Sequence, residues 1–374
     1  MQPTPFAAAA RRFPLLGRPR PDCPALPLRI KEVIDLANAA VEKLDHGMDD
    51  AAHALNKAAL IASDAGMADM ARALCWQHIS AYLTAERPLT FTEARYMLEP
   101  VINLARLDIR SEQGQSAVTA LKAVHRAVTE RTDLVIDGRT LPTAILTGEQ
   151  AERRRMVEWV WLQLLGEGIR ALTMANRWAD AADHALAYRG VGTHLTEGRQ
   201  ALIIAQCAVG DPAEANKILA SSVLTQPWEQ QVASCLQLMC SPPDATRVKD
   251  HLATAMRRLA TAPPAANYAS YRARLGLTVT ILAHGIWPEA ATGLLHRTAA
   301  LAINSTDGYA ARDVLGFREP IEGITHDQIT DLQNISRRAG LAVLHLPEAV
   351  LNRISRAADS AAKIIEIGLK SARR

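Results

Sequence analysis

Aromatic side chains make up only 4% of the 374 residues, too few for a thick core filled by large rings. No apolar run approaches the ~18 residues that a membrane-spanning helix needs, so no such span is expected. Charge is almost balanced, at a net +3, and the small excess sits towards the two ends. A dedicated nucleic-acid surface is therefore not expected. The five cysteines, Cys23, Cys75, Cys207, Cys235 and Cys240, contain no CxxC pair, and their odd number argues against a disulfide framework. A reducing cytoplasm is the compartment this usage fits. Arg11-Arg12 is followed by Gly17-Arg-Pro-Arg-Pro, where a twin-arginine export signal would need an apolar stretch. Also missing are a Gly-rich phosphate loop, a GxSxG elbow, a kinase signature and an aspartate-rich diphosphate motif. No cofactor and no metal are expected.

What the chain does have is alanine. It is the best helix former and too small to fill a thick core, so thin helical layers in close contact are predicted. From Ile30 onward apolar residues recur at helical spacing; Val33, Leu36, Ala37, Ala40, Val41 and Leu44 make one face of a first helix. Gly, Asn or Pro follows each short helical stretch, the pattern of antiparallel hairpins. The predicted fold class is all-α. Residues 1–28, rich in Pro and Arg and without periodicity, read as a disordered extension. Residues 29–132 read as N-terminal hairpins and 148–302 as stacked repeats. Between them, 133–147 carries a β-rich stretch around Asp137-Gly138, a hairpin signal that divides the two blocks. Pro242-Pro243 and Pro263-Pro264 mark turns between hairpins. Residues 303–374 read as a helical cap, ending in an amphipathic helix from about Pro347 to Leu369 that covers the last repeat.

Five segments share one scheme, a turn residue followed five positions later by alanine: Gly47/Ala52, Gly66/Ala71, Asn176/Ala181, Gly210/Ala215 and Gly285/Ala290. Gly and Asn tolerate the left-handed backbone that ends a helix, and alanine suits a close helix crossing. Asn176 and Gly210 lie 34 positions apart, and Asp211-Pro212 supplies a helix N-cap followed by Pro. The segment Ala201-Leu-Ile-Ile-Ala-Gln-Cys-Ala-Val-Gly-Asp-Pro-Ala-Glu-Ala resembles the first helix, turn and second-helix start of the tetratricopeptide repeat family. The resemblance is best over 171–220. It implies a solenoid of helix hairpins whose inner helices line a peptide-binding groove.

Side chains that could carry chemistry read mostly as structural. His46, Asp50 and His53 are spaced for one helix face, but Gly47 interrupts it and no HExxH pattern accompanies them. Cys75 and His78 sit three apart inside an apolar helix, where a buried core thiol is the ordinary outcome. Cys235 and Cys240 fall on different helix faces. Two charged stretches remain, Glu152-Arg153-Arg154-Arg155 leading to Trp159 and Trp161, and Arg257-Arg258 with Tyr268, Tyr271, Arg272 and Arg274. As residues of a concave groove, Arg170, Arg199, Tyr268 and Arg272 are the expected peptide-binding set, arginine suiting carboxylates. Gly190, Gly192 and Gly198 flank a hinge-like loop at Thr193-His194. The expected function is a non-catalytic scaffold for a peptide or protein partner, with a homodimer left open. The alternatives are a peptide-sensing regulator acting through a partner, and a helical enzyme using His184, His194, Arg170 or Glu197.

Overall fold

The computed structural model describes residues 4–241, 247–261 and 267–371. The turns expected at Pro242-Pro243 and Pro263-Pro264 lie outside the described residues. Among those described are seventeen α-helices and a two-stranded sheet, so the all-α class holds. The chain divides into two compact units, and each is built from two separate stretches. One is Met1–Pro24 with Leu172–Ala339; the other is Ala25–Ala171 with Gly340–Arg374. The division falls inside a helix, not at the β-hairpin.

In chain order the first helices are α1 (Pro5–Ala10), α2 (Leu26–Lys43), α3 (Met48–Asp64), α4 (Ala68–Tyr82), α5 (Phe91–Arg110) and α6 (Gly114–Glu130). Strands β1 (Leu134–Ile136) and β2 (Arg139–Leu141) follow, then α7 (Gln150–Met174) and α8 (Trp178–Ala187). Next come α9 (Glu197–Ala208), α10 (Pro212–Ala220), α11 (Pro227–Met239), α12 (Val248–Thr261) and α13 (Ala269–His284). The last are α14 (Pro288–Ser305), α15 (Gly308–Leu315), α16 (His326–Arg338) and α17 (Glu348–Ser371).

In the unit 25–171/340–374, α2, α3, α4 and α5 pack each on the next. The buried face of α2 is Ile30, Val33, Ala37 and Ala40, while Val41 and Leu44 are exposed, a rotation of the predicted stripe. Helix α17 lies on α2, α3 and α4, so it covers the first hairpins, with Ile354, Ala358, Ala361 and Ile365 fully buried. The expected cover on the last repeat is not what this packing forms. Buried Asp64 at the end of α3 joins Arg29 at 2.6 Å and Arg110 at 3.0 Å. Its carbonyl, with that of Ala65, accepts from Ala342 and Leu344, which stitches the approach to α17 onto α3. The hairpin pairs Leu134 with Leu141 and turns at Asp137-Gly138, both with positive φ, as the turn residues predict. It packs on α6, and Asp137 binds Arg72 and Trp76 of α4. It is therefore part of this unit rather than a divider.

In the unit 1–24/172–339, successive helices from α8 to α16 pack on their neighbours in sequence. The turn scheme can be checked position by position. Gly66, Asn176 and Gly210 have φ of 86°, 57° and 83°, whereas Gly47 and Gly285, at φ of −88° and −73°, do not take the expected left-handed turn. Ala52, Ala71, Ala181 and Ala215 are buried. Ala290 is only half-buried, and its neighbour Ala291 takes the crossing. Asp211 caps α10 by accepting from the Glu214 amide at 3.0 Å.

The expectation of disorder for residues 1–28 is corrected where they are described. Helix α1 packs on α13, and Ala8, Ala9, Ala10, Phe13, Leu15 and Cys23 are buried. The segment is held by side chains clasping its backbone. Fully buried Gln200 accepts from the Leu15 amide at 2.8 Å and donates to the Leu15 carbonyl at 2.8 Å. Arg274 donates to the carbonyls of Arg12 and Pro14. Asp307 accepts from the Cys23 amide at 2.8 Å, and the Gly308 amide donates to the Cys23 carbonyl at 2.9 Å. Gly17 passes so close to Trp228 that an added Cβ would lie 2.2 Å from its side chain. Such bonds give no periodicity, which is why the sequence pattern misses them. Residues 25–28 belong elsewhere, Leu26 starting α2.

Candidate functional site

The four expected peptide-binding residues do not form one cluster. Arg170 belongs to the unit 25–171/340–374, and Arg199, Tyr268 and Arg272 to the other. Arg170 of α7 and Arg106 of α5 both engage Glu167 of α7, at 3.4 and 2.8 Å. Burial alone would push the Glu167 carboxyl up, but the two guanidinium groups hold it below its usual range. Arg170 is one arm of a structural ion network.

Arg199 is a clasp. Its Nε donates to Ser222 Oγ at 2.7 Å, Nη1 to the Gly192 carbonyl at 2.7 Å, and Nη2 to the Ile218 carbonyl at 2.8 Å and Ser221 Oγ at 2.7 Å. The guanidinium is buried, and the donors are directed at these acceptors rather than at a ligand. The same bonds tie down the loop read as a hinge, where His194 also contacts Glu229 at 3.0 Å. Glu197, weighed for an enzyme, pairs with Arg18 at 3.0 Å. In the second charged stretch, Arg258 donates to Ser234 and the Gln230 carbonyl, and Tyr271 donates to Gln231.

Arg272 differs. It rises from the first turn of α13 into a cleft of about 250 Å³ with Asp22, Asn267, Thr298, Asn304 and Ser305 on its walls. It has no hydrogen-bond or ion-pair partner among the described residues. Burial lowers its pKa, the mark of a partly desolvated cation without a compensating anion. On the rim, partial burial and then the neighbouring Asp307 carboxylate raise the Asp22 carboxyl above its ordinary value. Tyr268 precedes α13, and its carbonyl accepts from the Arg272 amide at 2.9 Å, so both sit on one side of the helix start. The cleft thus offers one guanidinium uncompensated among the described residues, a carboxyl that binds its proton more tightly than usual, and several neutral polar groups. That set can hold a carboxylate or another oxyanion; it contains no nucleophile paired with a base.

A second, more open cleft of about 480 Å³ lies between α6 and α7, lined by His125, Arg153, Arg154, Glu158 and Trp161. It gathers the first charged stretch. Elsewhere the weighed reactive groups are quenched. Burial raises the Cys75 thiol to about 12 and lowers His78 to about 3. Asp50 pairs with Lys43 at 2.6 Å and His53 stands edge-on to Tyr96. No group of His, Cys, Asp and Glu among the described residues is arranged to hold a metal ion, and no described helix is long and apolar enough to cross a membrane. Asp22 was not foreseen, because its role depends on a segment read as disordered. No family model, curated protein or solved structure matches this chain.

Proposed function

We propose that the chain is a non-catalytic helical scaffold that binds a peptide or protein partner, and that its ligand's carboxylate is held by Arg272. The observation that carries this reading is the partly buried guanidinium in the α13 cleft, without a partner among the described residues. A charged hydrogen bond to such a group contributes roughly 1.5–3 kcal/mol. Stacking of α8 to α13, each on the next, with left-handed turns at Asn176 and Gly210, supports a tetratricopeptide-like solenoid as the frame. Within that frame, neutral Asn and Ser side chains along the cleft suit the backbone of an extended peptide.

The test is a display library of random peptides with free carboxyl termini, selected on the immobilised chain. Wild-type protein enriches a family of sequences, and the Arg272→Ala variant, folded by circular dichroism, binds them at least about ten-fold more weakly. Equal binding by the variant removes Arg272 and this cleft from the function. Loss of binding only on Arg154→Ala would transfer the ligand to the α6–α7 cleft.

A further inference from the structure

Cys207 stands in the last turn of α9, and Cys240 follows the end of α11. They are 33 residues apart in sequence, yet their sulfur atoms approach to 2.9 Å, well inside the contact distance of two unbonded sulfurs. Cys240 is buried and Cys207 half-buried. Around them the polar frame is fixed: Asn216 of α10 donates to the Cys240 carbonyl at 3.2 Å, and Gln237 donates to Asn216 at 3.0 Å. The third cysteine of this region, Cys235, is fully enclosed in α11 and makes no such approach.

We infer that Cys207 and Cys240 are a reversible modification site, a dithiol that a small-molecule disulfide oxidises to a disulfide linking α9 to α11. The inference is independent of the peptide cleft. Cys207 is the attacking sulfur. It is the more accessible of the two, and the hydrogen bond it shares with Cys240 lowers its pKa. In the first step the Cys207 thiolate attacks one sulfur of the oxidant, the oxidant's S–S bond breaks, and one small thiol leaves. In the second, Cys240 loses its proton to water and attacks Cys207 Sγ. The mixed disulfide breaks, and a second small thiol leaves. The two protein sulfurs are oxidised and the small disulfide is reduced to two thiols. Because α10 packs on both α9 and α11, the new bond closes a three-helix layer and removes the freedom of α9 and α11 to separate.

The experiment places the full chain in glutathione buffers of increasing oxidised fraction, blocks free thiols by alkylation, and maps tryptic peptides without reduction. Cleavage gives one peptide of residues 200–217 and another of 218–247. Oxidation is expected to join them through Cys207 and Cys240, assigned by fragmentation, with no glutathione adduct accumulating. In Cys240→Ser the cross-link is replaced by glutathione on Cys207, and in Cys235→Ser it persists. Oxidation raises the melting temperature of wild type and leaves that of Cys207→Ser unchanged. Free, alkylatable Cys207 and Cys240 in the most oxidising buffer, in a folded chain, overturn the inference. So does a cross-link that survives Cys240→Ser through Cys235.

Discussion

Replacing His78 by phenylalanine probes what it means to bury a neutral imidazole. His78 is on α4, fully buried, against the Tyr82 ring at 5.8 Å between centroids. Neither ring nitrogen has a hydrogen-bond partner among the described residues. Burial pushes its pKa down to about 3, while an unfolded chain presents a histidine of about 6.5. The folded pKa is therefore the lower one, so the unfolded state binds the extra proton. Stability is complete above about pH 6.5 and is lost as pH falls towards 3. At pH 5 the unfolded state gains about 2 kcal/mol from this one residue, rising to a ceiling of about 5 kcal/mol below pH 3. Phenylalanine keeps a planar ring, removes two unsatisfied nitrogens and abolishes the proton. The assay is urea unfolding followed by circular dichroism, wild type against His78→Phe, at pH 7.5 and pH 5. Carboxylates titrate alike in both proteins and cancel in the difference. The variant should lose about 2 kcal/mol less than wild type on acidification. If the two lose the same amount, the imidazole is protonated in the folded chain and the burial argument is wrong.

Gln200→Ala removes both bonds to the Leu15 backbone and the one to the Leu195 carbonyl, at 2.6 Å, leaving buried polar groups unpaired. It should lower stability by on the order of 2–4 kcal/mol, read by urea titration, and speed proteolysis before residue 24. An unchanged midpoint would show that the first segment does not dock through this residue. Ala215→Leu overfills a fully buried crossing and should cost about 1–3 kcal/mol. Half-buried Ala290 should accept leucine with less loss, and equal melting shifts at the two positions would break the distinction.

Elements that rest on local physics were legible beforehand. The Asp137-Gly138 turn, the Asp211 cap and the left-handed Asn176 and Gly210 each follow from the chemistry of one or two residues. What escaped depends on partners remote in sequence. Nothing near Leu15 announces that Gln200 will hold it, and a composition rich in Pro and Arg looks the same whether solvated or clasped. Arg199 and Arg272 are alike as arginines near a helix start; only the fold decides that one meets four internal acceptors and the other none among the described residues. Cys207 and Cys240 meet because α9 and α11 stack, which a residue count cannot report. Ala290 was missed by one position, within the slack of any turn-anchored register.

Both units are discontinuous in sequence, and this sets an order on folding during synthesis. Leu15 is translated 185 residues before Gln200, which at ordinary elongation rates is an interval of roughly ten to forty seconds. Cys23 waits longer still for Asp307, 284 residues on. Helices α2 to α4 can associate early, but α17, which covers them, is made only after α16. Until those partners are made, then, the nascent chain carries residues 4–24 unclaimed and a helical face uncovered. The arginines and prolines that disguise this segment as a loose stretch also suit it to that wait, since they keep Phe13 and Leu15 from forming a sticky strand.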